Sequence, residues 1–201
     1  MIVNIRGCSG SGKSTLVNWV MDQFDQKIPL LRKGDKADFP GPKSRPYGYL
    51  LKHNHPDVDD LFVCGHYEVP CGGCDTIPSY DAIFGLVKEA DDSGVNVLFE
   101  GLLVTVDQKN TKALMQEDRD LLIVALDTSI ELCLSSVNER RRRKKPDAPD
   151  VGTFNIKNKH TLTARRMRQF TELGWAVISA SREQAKEILY ESLIDLKEEA
   201  S

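Results

Sequence analysis

The sequence predicts an α/β fold, a five-stranded parallel sheet with helices on both faces. Three observations lead there. Five short apolar stretches read as strands, and none alternates apolar with polar residues, so both faces of each are expected to be buried. Segments between them carry apolar residues at helical spacing, and strand–helix alternation builds a parallel sheet. Finally, 201 residues with 40% hydrophobic and 28% charged composition fit one well-packed domain. That composition also excludes disorder, collagen and coiled coil.

The first strand is expected over residues 1–6, short and β-branched. A helix follows over 14–24, with apolar residues at 16, 17, 20, 21 and 24 on one face. Residues 61–64 predict a second strand. Tyr80, Ile83, Phe84, Val87 and Ala90 predict a helix that Gly94 closes. Residues 95–99 and 121–126 predict the third and fourth strands. The next helix has a capping box, with Thr128 as cap and Glu131 three residues on, and an apolar stripe at Ile130, Cys133, Leu134 and Val137. Leu162, Met167, Phe170 and Leu173 mark another helix, stopped at Gly174; residues 175–179 predict the fifth strand. Ala185, Ile188, Leu189, Leu193 and Leu196 close the chain with a helix. Two stretches resist assignment: 28–60, with prolines at 29, 40, 42, 46 and 56, and 144–158. Long irregular segments in a compact domain are usually functional.

The longest apolar run, Leu121–Leu126, has six residues and is far too short to span a membrane. No export signal is visible, and an odd number of cysteines, five, argues for a reducing compartment, the cytoplasm. Net charge is −3, yet residues 139–168 hold eleven Lys/Arg against three acids, which leaves −11 for the rest. A local positive block on an acidic chain points to a site for a negative ligand.

Gly7-Cys8-Ser9-Gly10-Ser11-Gly12-Lys13-Ser14 fits G-x-x-x-x-G-K-[ST], with a strand before it and a helix, opening through Thr15, after it. Glycines let successive N–H groups turn inward on phosphate oxygens, and the helix N-terminus adds positive charge. Lys13 is expected to reach the β- and γ-phosphates and Ser14 to ligate Mg²⁺, which implies ATP with magnesium. No Asn-Lys-x-Asp run reads guanine, and 201 residues leave little room for a motor's subdomains, so a small kinase remains. The apolar stripe of the helix after Thr128 continues into Arg140, Arg141 and Lys144, while Arg142 and Arg143 point elsewhere. Residues 138–168 are thus expected to form a basic lid over the phosphates. Arg166 falls on the inward arc of its helix, where it either snorkels or reaches a site.

Glu100, at the end of the third strand, is expected to hold the Mg²⁺ shell or take an acceptor proton; Asp127 is its rival. The polar loop Gly65-His66-Tyr67-Glu68-Val69-Pro70-Cys71-Gly72-Gly73-Cys74-Asp75-Thr76-Ile77 is the expected acceptor region. A hydroxyl acceptor benefits from a carboxylate within hydrogen-bond reach, and Asp75 leads Glu68 and Glu100 for that role. Cys64, His66, Cys71 and Cys74 present an alternative as a zinc site of atypical spacing. His53 and His55 read as a solvated turn. Arg32, Lys33, Lys36, Lys43, Arg45 and Lys52 interleave with Phe39, Tyr47 and Tyr49, which suits either a stacked base or partial core burial.

The phosphate loop, Glu100, the arginine run and the terminal strand–helix resemble the P-loop kinase superfamily that includes nucleoside monophosphate kinases. The stretch from Gly65 to Thr76 is similar, more narrowly, to the phage P-loop kinases that phosphorylate 5-hydroxymethyluracil bases in DNA. The resemblance implies an acceptor hydroxymethyl oxygen on a DNA base, handled near Asp75, with the Pro-rich segment helping carry the strand. It also implies action in a host cytoplasm. A nucleoside monophosphate kinase and a non-catalytic nucleotide switch stand as alternatives.

Overall fold

The computed structural model describes residues 1–31, 45–69, 72–101, 105 and 107–195. In chain order the described elements are β1 (Ile2–Arg6), α1 (Lys13–Met21), β2 (Gln26–Leu30), β3 (Gly48–Lys52), β4 (Leu61–Cys64), α2 (Tyr80–Asp92) and β5 (Asn96–Glu100). There follow α3 (Lys109–Gln116), β6 (Leu121–Leu126), α4 (Ile130–Lys144), α5 (Thr153–Glu172), β7 (Ala176–Ala180) and α6 (Arg182–Leu193).

One seven-stranded sheet runs β2-β3-β4-β5-β1-β6-β7. Its five parallel strands are those the sequence predicts, but the expected five-stranded sheet is corrected to a mixed one of seven. Strands β2 and β3 pair antiparallel with each other, and β3 pairs antiparallel with β4. All of β3 and the last three residues of β2 come from the stretch left irregular. Its signal is weak for a physical reason: β2 is an edge strand, mostly exposed, and carries Pro29, which only an edge tolerates.

Central strands are buried on both faces. Val3, Ile5, Val63, Leu98 and Val124 pack against Leu16, Val17 and Val20 of α1 and Ala185 and Leu189 of α6. On the other face Ile2, Phe62, Val97, Phe99 and Ile123 meet Ile83, Phe84 and Val87 of α2, Leu114 of α3 and Phe170 of α5. A small satellite of Cys8, Cys133, Val137 and Ile156 sits between the phosphate loop and helices α4 and α5.

Other boundaries differ from expectation. Helix α5 starts at Thr153, so most of the Pro/Asp-rich stretch after Lys144 is a short linker. Ser129, not Thr128, caps α4, accepting from the Leu132 N–H. Thr128 instead donates its hydroxyl to the Ser11 carbonyl at 3.1 Å, bracing the phosphate loop. Helix α3 has no predicted counterpart; Asp107 caps it by accepting from the Asn110 and Thr111 N–H groups. The expected last-helix residue Leu196 lies outside the described residues, as do Arg32, Lys33, Lys36, Phe39, Lys43, Pro40 and Pro42. Among the described residues no helix is long and apolar enough to cross a membrane.

Candidate functional site

The phosphate loop occupies the turn between β1 and α1, at the carboxyl edge of the parallel strands. Gly10 and Gly12 adopt φ of +83° and +100°, conformations that favour glycine. A Cβ at Gly10 would strike the Cys133 carbonyl, and one at Gly12 would come within 2.6 Å of the Arg182 Nε. At both glycines the loop's main chain therefore packs directly on its neighbours, α4 and the Arg182 side chain, where no Cβ fits. Lys13 is buried and donates to the carbonyls of Gly7 at 2.9 Å and Cys8 at 3.1 Å.

Parallel register delivers the acid. Strand β5 pairs with β1 so that Glu100 lies opposite Ile5, one residue short of the loop. Glu100 is the last residue of β5 rather than the residue after it. Its carboxylate accepts the Ser14 hydroxyl at 2.7 Å. Burial pushes its pKa up and the Asp75 charge adds to this, while the Lys13 ammonium and the Ser14 hydrogen bond pull it down. Asp127 is exposed and its N–H pairs with Ala180, so it only joins β6 to β7.

A cleft of about 770 Å³ opens over these groups. Ser9, Gly10, Gly12, Lys13, Ser14, Thr15 and Glu100 form its floor, and Tyr67, Glu68, Gly72 and Asp75 one side. Arg140, Arg143 and Arg182 supply cations. The arginine face differs from expectation: Arg140 lines the cleft and Arg141 does not, whereas Arg143, expected to point elsewhere, does. Ser136, Arg140 and Arg143 follow one another at helical spacing, and that arc, not the one through Arg141 and Lys144, faces the loop. Arg166 is not on the cleft; it donates to Gln108 at 2.6 Å and Gln169 at 2.8 Å.

The 65–77 loop is a built turn. Gly73 donates to the His66 carbonyl at 2.7 Å, Thr76 Oγ1 to the Gly73 carbonyl at 2.7 Å, and the His66 N–H to Thr76 Oγ1 at 3.3 Å. A Cβ at Gly73, whose φ is +79°, would collide with Glu100 Oε1, so the turn presses main chain directly on the carboxylate. Two of the groups offered for zinc, the His66 imidazole and the Cys74 thiol, have other hydrogen-bond partners. His66 Nδ1 pairs with the Tyr49 hydroxyl at 2.9 Å, with burial holding the imidazole pKa down and the phenol pKa up to about 12. Cys74 donates to the Cys64 carbonyl at 3.4 Å inside the core. Cys71 lies outside the described residues, and among those described no group of three His, Cys, Asp or Glu is placed to hold a metal ion. Tyr49 is fully buried with Lys27 over its ring, and Tyr47 packs on the core, so neither is a free stacking surface.

Arg182 and Asn18 are cleft residues that sequence reasoning passed over, whereas Tyr67 belongs to the expected acceptor loop. A signal existed for Arg182. The Ser181/Gln184 capping box marks a helix start immediately after a strand, which is the carboxyl edge where ligands bind. Its Nε donates to the Ser11 carbonyl at 3.2 Å.

No family model matches the chain. Two curated proteins do, both named 5-hmdU DNA kinase. The one from Pseudomonas phage PaMx11 is 40% identical over 184 residues, 92% of each chain. The other, from Pseudomonas phage M6, is 28% identical over 171 residues, 81% of each. Among solved structures, a deoxyadenosine kinase from M. mycoides with dCMP and dCDP bound aligns at 12% identity and TM-score 0.45, covering 96% of this chain and 98% of the other. The same enzyme with dATP aligns at 13% identity and TM-score 0.44, covering 97% and 100%.

Proposed function

Because the chain belongs to the phage 5-hmdU DNA kinase family, we propose that it transfers the γ-phosphoryl group of ATP to the hydroxymethyl oxygen of 5-hydroxymethyluracil in DNA. One observation carries the mechanism: a single cleft puts the phosphate cradle, Lys13, Ser14 and Glu100 against a polar wall holding Asp75.

Each residue has a task that its position supports. The N–H groups of residues 7–15 bind the phosphate chain, with Gly10 and Gly12 giving the curvature. Lys13 exchanges the Gly7 and Cys8 carbonyls for β- and γ-phosphate oxygens. Ser14 and Glu100 offer adjacent hydroxyl and carboxylate oxygens, a hard-oxygen pair that suits Mg²⁺. Bound there, Mg²⁺ neutralises charge on the phosphates. Arg140 on α4 brings a further cation over the transferring group, and we assign Arg141 no role in the transfer.

A hydroxymethyl group is a poor nucleophile until its proton is accepted. Asp75 is exposed to the cleft and suits that task, whereas Glu100 is buried and committed to Ser14. Tyr67 and Glu68 stand beside Asp75 as walls for the base, which must leave a duplex stack to enter. DNA is the partner, and host cytoplasm the place where a phage enzyme meets it.

Labelled ATP, supplied with magnesium, tests the reading. Incubation with duplex containing 5-hydroxymethyluracil should place label on the modified base, and a panel of nucleoside monophosphates should stay unlabelled. Label found only in nucleoside diphosphates would overturn it. Asp75→Asn should lose most turnover while nucleotide binding, read by calorimetry, holds.

A further inference from the structure

The geometry points to Cys8 and Cys133 as a thiol-oxidation site whose disulfide locks the phosphate loop to helix α4. Cys8 is the second residue of the loop and Cys133 lies in the first turns of α4, 125 residues away. Their sulfurs stand 2.8 Å apart, in a hydrogen bond. A disulfide needs about 2.05 Å, so less than an ångström of approach separates the two forms. Both residues are almost completely buried, at 3% and 0% exposure, in a small cluster with Val137 and Ile156. The other two described cysteines, Cys64 and Cys74, belong to a different cluster against the sheet.

Reactivity follows from the surroundings. The hydrogen bond shared with Cys133 brings the Cys8 pKa down to about 7, with His160 and Lys13 adding to this against the cost of burial. Cys133, its partner in that bond, is pushed the other way, held protonated by the shared bond and by burial. The pair thus sets the more acidic Cys8 sulfur against a Cys133 thiol at 2.8 Å, the arrangement of an attacking and a resolving cysteine. Cys8 is 3% exposed and directly precedes the cleft residues Ser9 and Gly10, so the oxidant proposed is one as small as hydrogen peroxide rather than a bulky disulfide.

The chemistry balances. Cys8 thiolate attacks one oxygen of hydrogen peroxide; the S–O bond forms, the O–O bond breaks, and the departing hydroxide takes a proton and leaves as water. Cys133 sulfur then attacks the Cys8 sulfur; the S–S bond forms, the S–O bond breaks, and the Cys133 proton leaves with that oxygen as a second water. The protein loses two electrons, and the peroxide gains them.

Closure reaches the machinery through main chain. Gly10 already abuts the Cys133 carbonyl, and the Cys8 carbonyl is one of the two that hold Lys13. A covalent tie fixes that carbonyl and α4, the helix that presents Arg140 and Arg143 to the cleft. Oxidised protein therefore loses turnover until it is reduced.

The test uses the full chain, reduced and then treated with hydrogen peroxide. Expected are loss of two hydrogens in intact mass, a peptide linking Cys8 to Cys133, loss of most ATP turnover, and recovery with dithiothreitol. The peptide map needs no acceptor, so it stands apart from the identity of the substrate. Cys133→Ala, compared with its own reduced state, should form no linked peptide, and peroxide should carry its Cys8 on to irreversible oxygen addition. Absence of the linked peptide from oxidised wild type would overturn the inference. So would a cross-linked protein of undiminished turnover, or an equally reversible loss in Cys133→Ala.

Discussion

The Ser14 hydroxyl donates to the Glu100 carboxylate at 2.7 Å, tying the residue after the loop lysine to the last residue of β5. Glu100 is 2% exposed, and burial is the largest influence on its pKa, which lies above the ordinary 4.5. The folded protein therefore holds that proton to higher pH than the unfolded chain does. The stabilising effect of keeping Glu100 protonated is full below 4.5 and is lost as pH rises through the raised value. Glu100→Gln removes this loss. Its melting temperature should exceed that of wild type at neutral pH, and the two should converge in acid. The same variant should lose turnover by about 10²-fold, since no carboxylate remains beside Ser14. Thermal melts across the acid-to-neutral range and initial rates with labelled ATP check the two halves separately.

Gly73 offers a cleaner test of how the acceptor turn seats on that carboxylate. Gly73 and Gly174 share nearly the same φ, +79° and +78°. A Cβ at Gly174 meets nothing within 4 Å, while one at Gly73 collides with Glu100 Oε1. Gly174→Ala should therefore cost only the left-handed penalty, roughly 1–2 kcal/mol, and leave turnover unchanged. Gly73→Ala should cost more stability, both because its ψ of −158° is a conformation essentially reserved for glycine and because Glu100 must shift, and that shift should also lose turnover. Urea melts and rates on both variants measure the difference; unchanged turnover in Gly73→Ala would mean that the turn does not press on the carboxylate.

The sequence makes the parallel half of the sheet legible because its strands are short, apolar and separated by helices. The phosphate loop is legible because glycine spacing, lysine and flanking elements all coincide. Strand β2 is hidden because an exposed edge strand with Pro29 has no buried face to impose a pattern. The cap of α4 is misread by one residue, since Thr128 and Ser129 are both capping types and only the fold shows Thr128 reaching Ser11. Arg143 is misassigned because a helical stripe fixes an arc of residues but not which edge of it meets a cleft. The Cys8–Cys133 contact joins positions 125 apart, and nothing local in either segment announces it.

Arg6 predicts a stability effect at a residue that touches no part of the cleft. It is fully buried at the end of β1 and donates to Asn4 Oδ1 at 2.5 Å, to the carbonyls of Thr105 and Asp107 at 3.3 Å each, and to Thr111 Oγ1 at 2.6 Å. Its guanidinium lies 5.0 Å from the centre of the Phe170 ring. Burial pulls its pKa down to about 9, while the nearby Asp107 charge, the hydrogen bonds and the Phe170 ring hold the cation against that desolvation cost. Lysine keeps the charge but cannot span the same oxygens with one ammonium. Arg6→Lys should lower stability by about 1–3 kcal/mol, read by denaturant melts.

Arg140 and Arg141 are consecutive on one helix, alike in chemistry and in distance along the chain from the phosphate loop. Only their direction separates them: Arg140 lines the cleft with Ser136 and Arg143, and Arg141 is exposed elsewhere. A cation that stabilises charge developing on the transferring phosphoryl group acts over a few ångströms in a partly desolvated site, whereas an exposed one is screened by water and salt. Arg140→Ala should therefore lower kcat by about 10²-fold, and Arg141→Ala should stay close to wild type. Arg143 also faces the cleft but pairs with Glu139 at 2.5 Å, so its loss should fall between the two. Steady-state rates on the three variants at saturating ATP order these effects. If Arg141→Ala lost as much as Arg140→Ala, helix α4 would have to rotate about its axis during turnover.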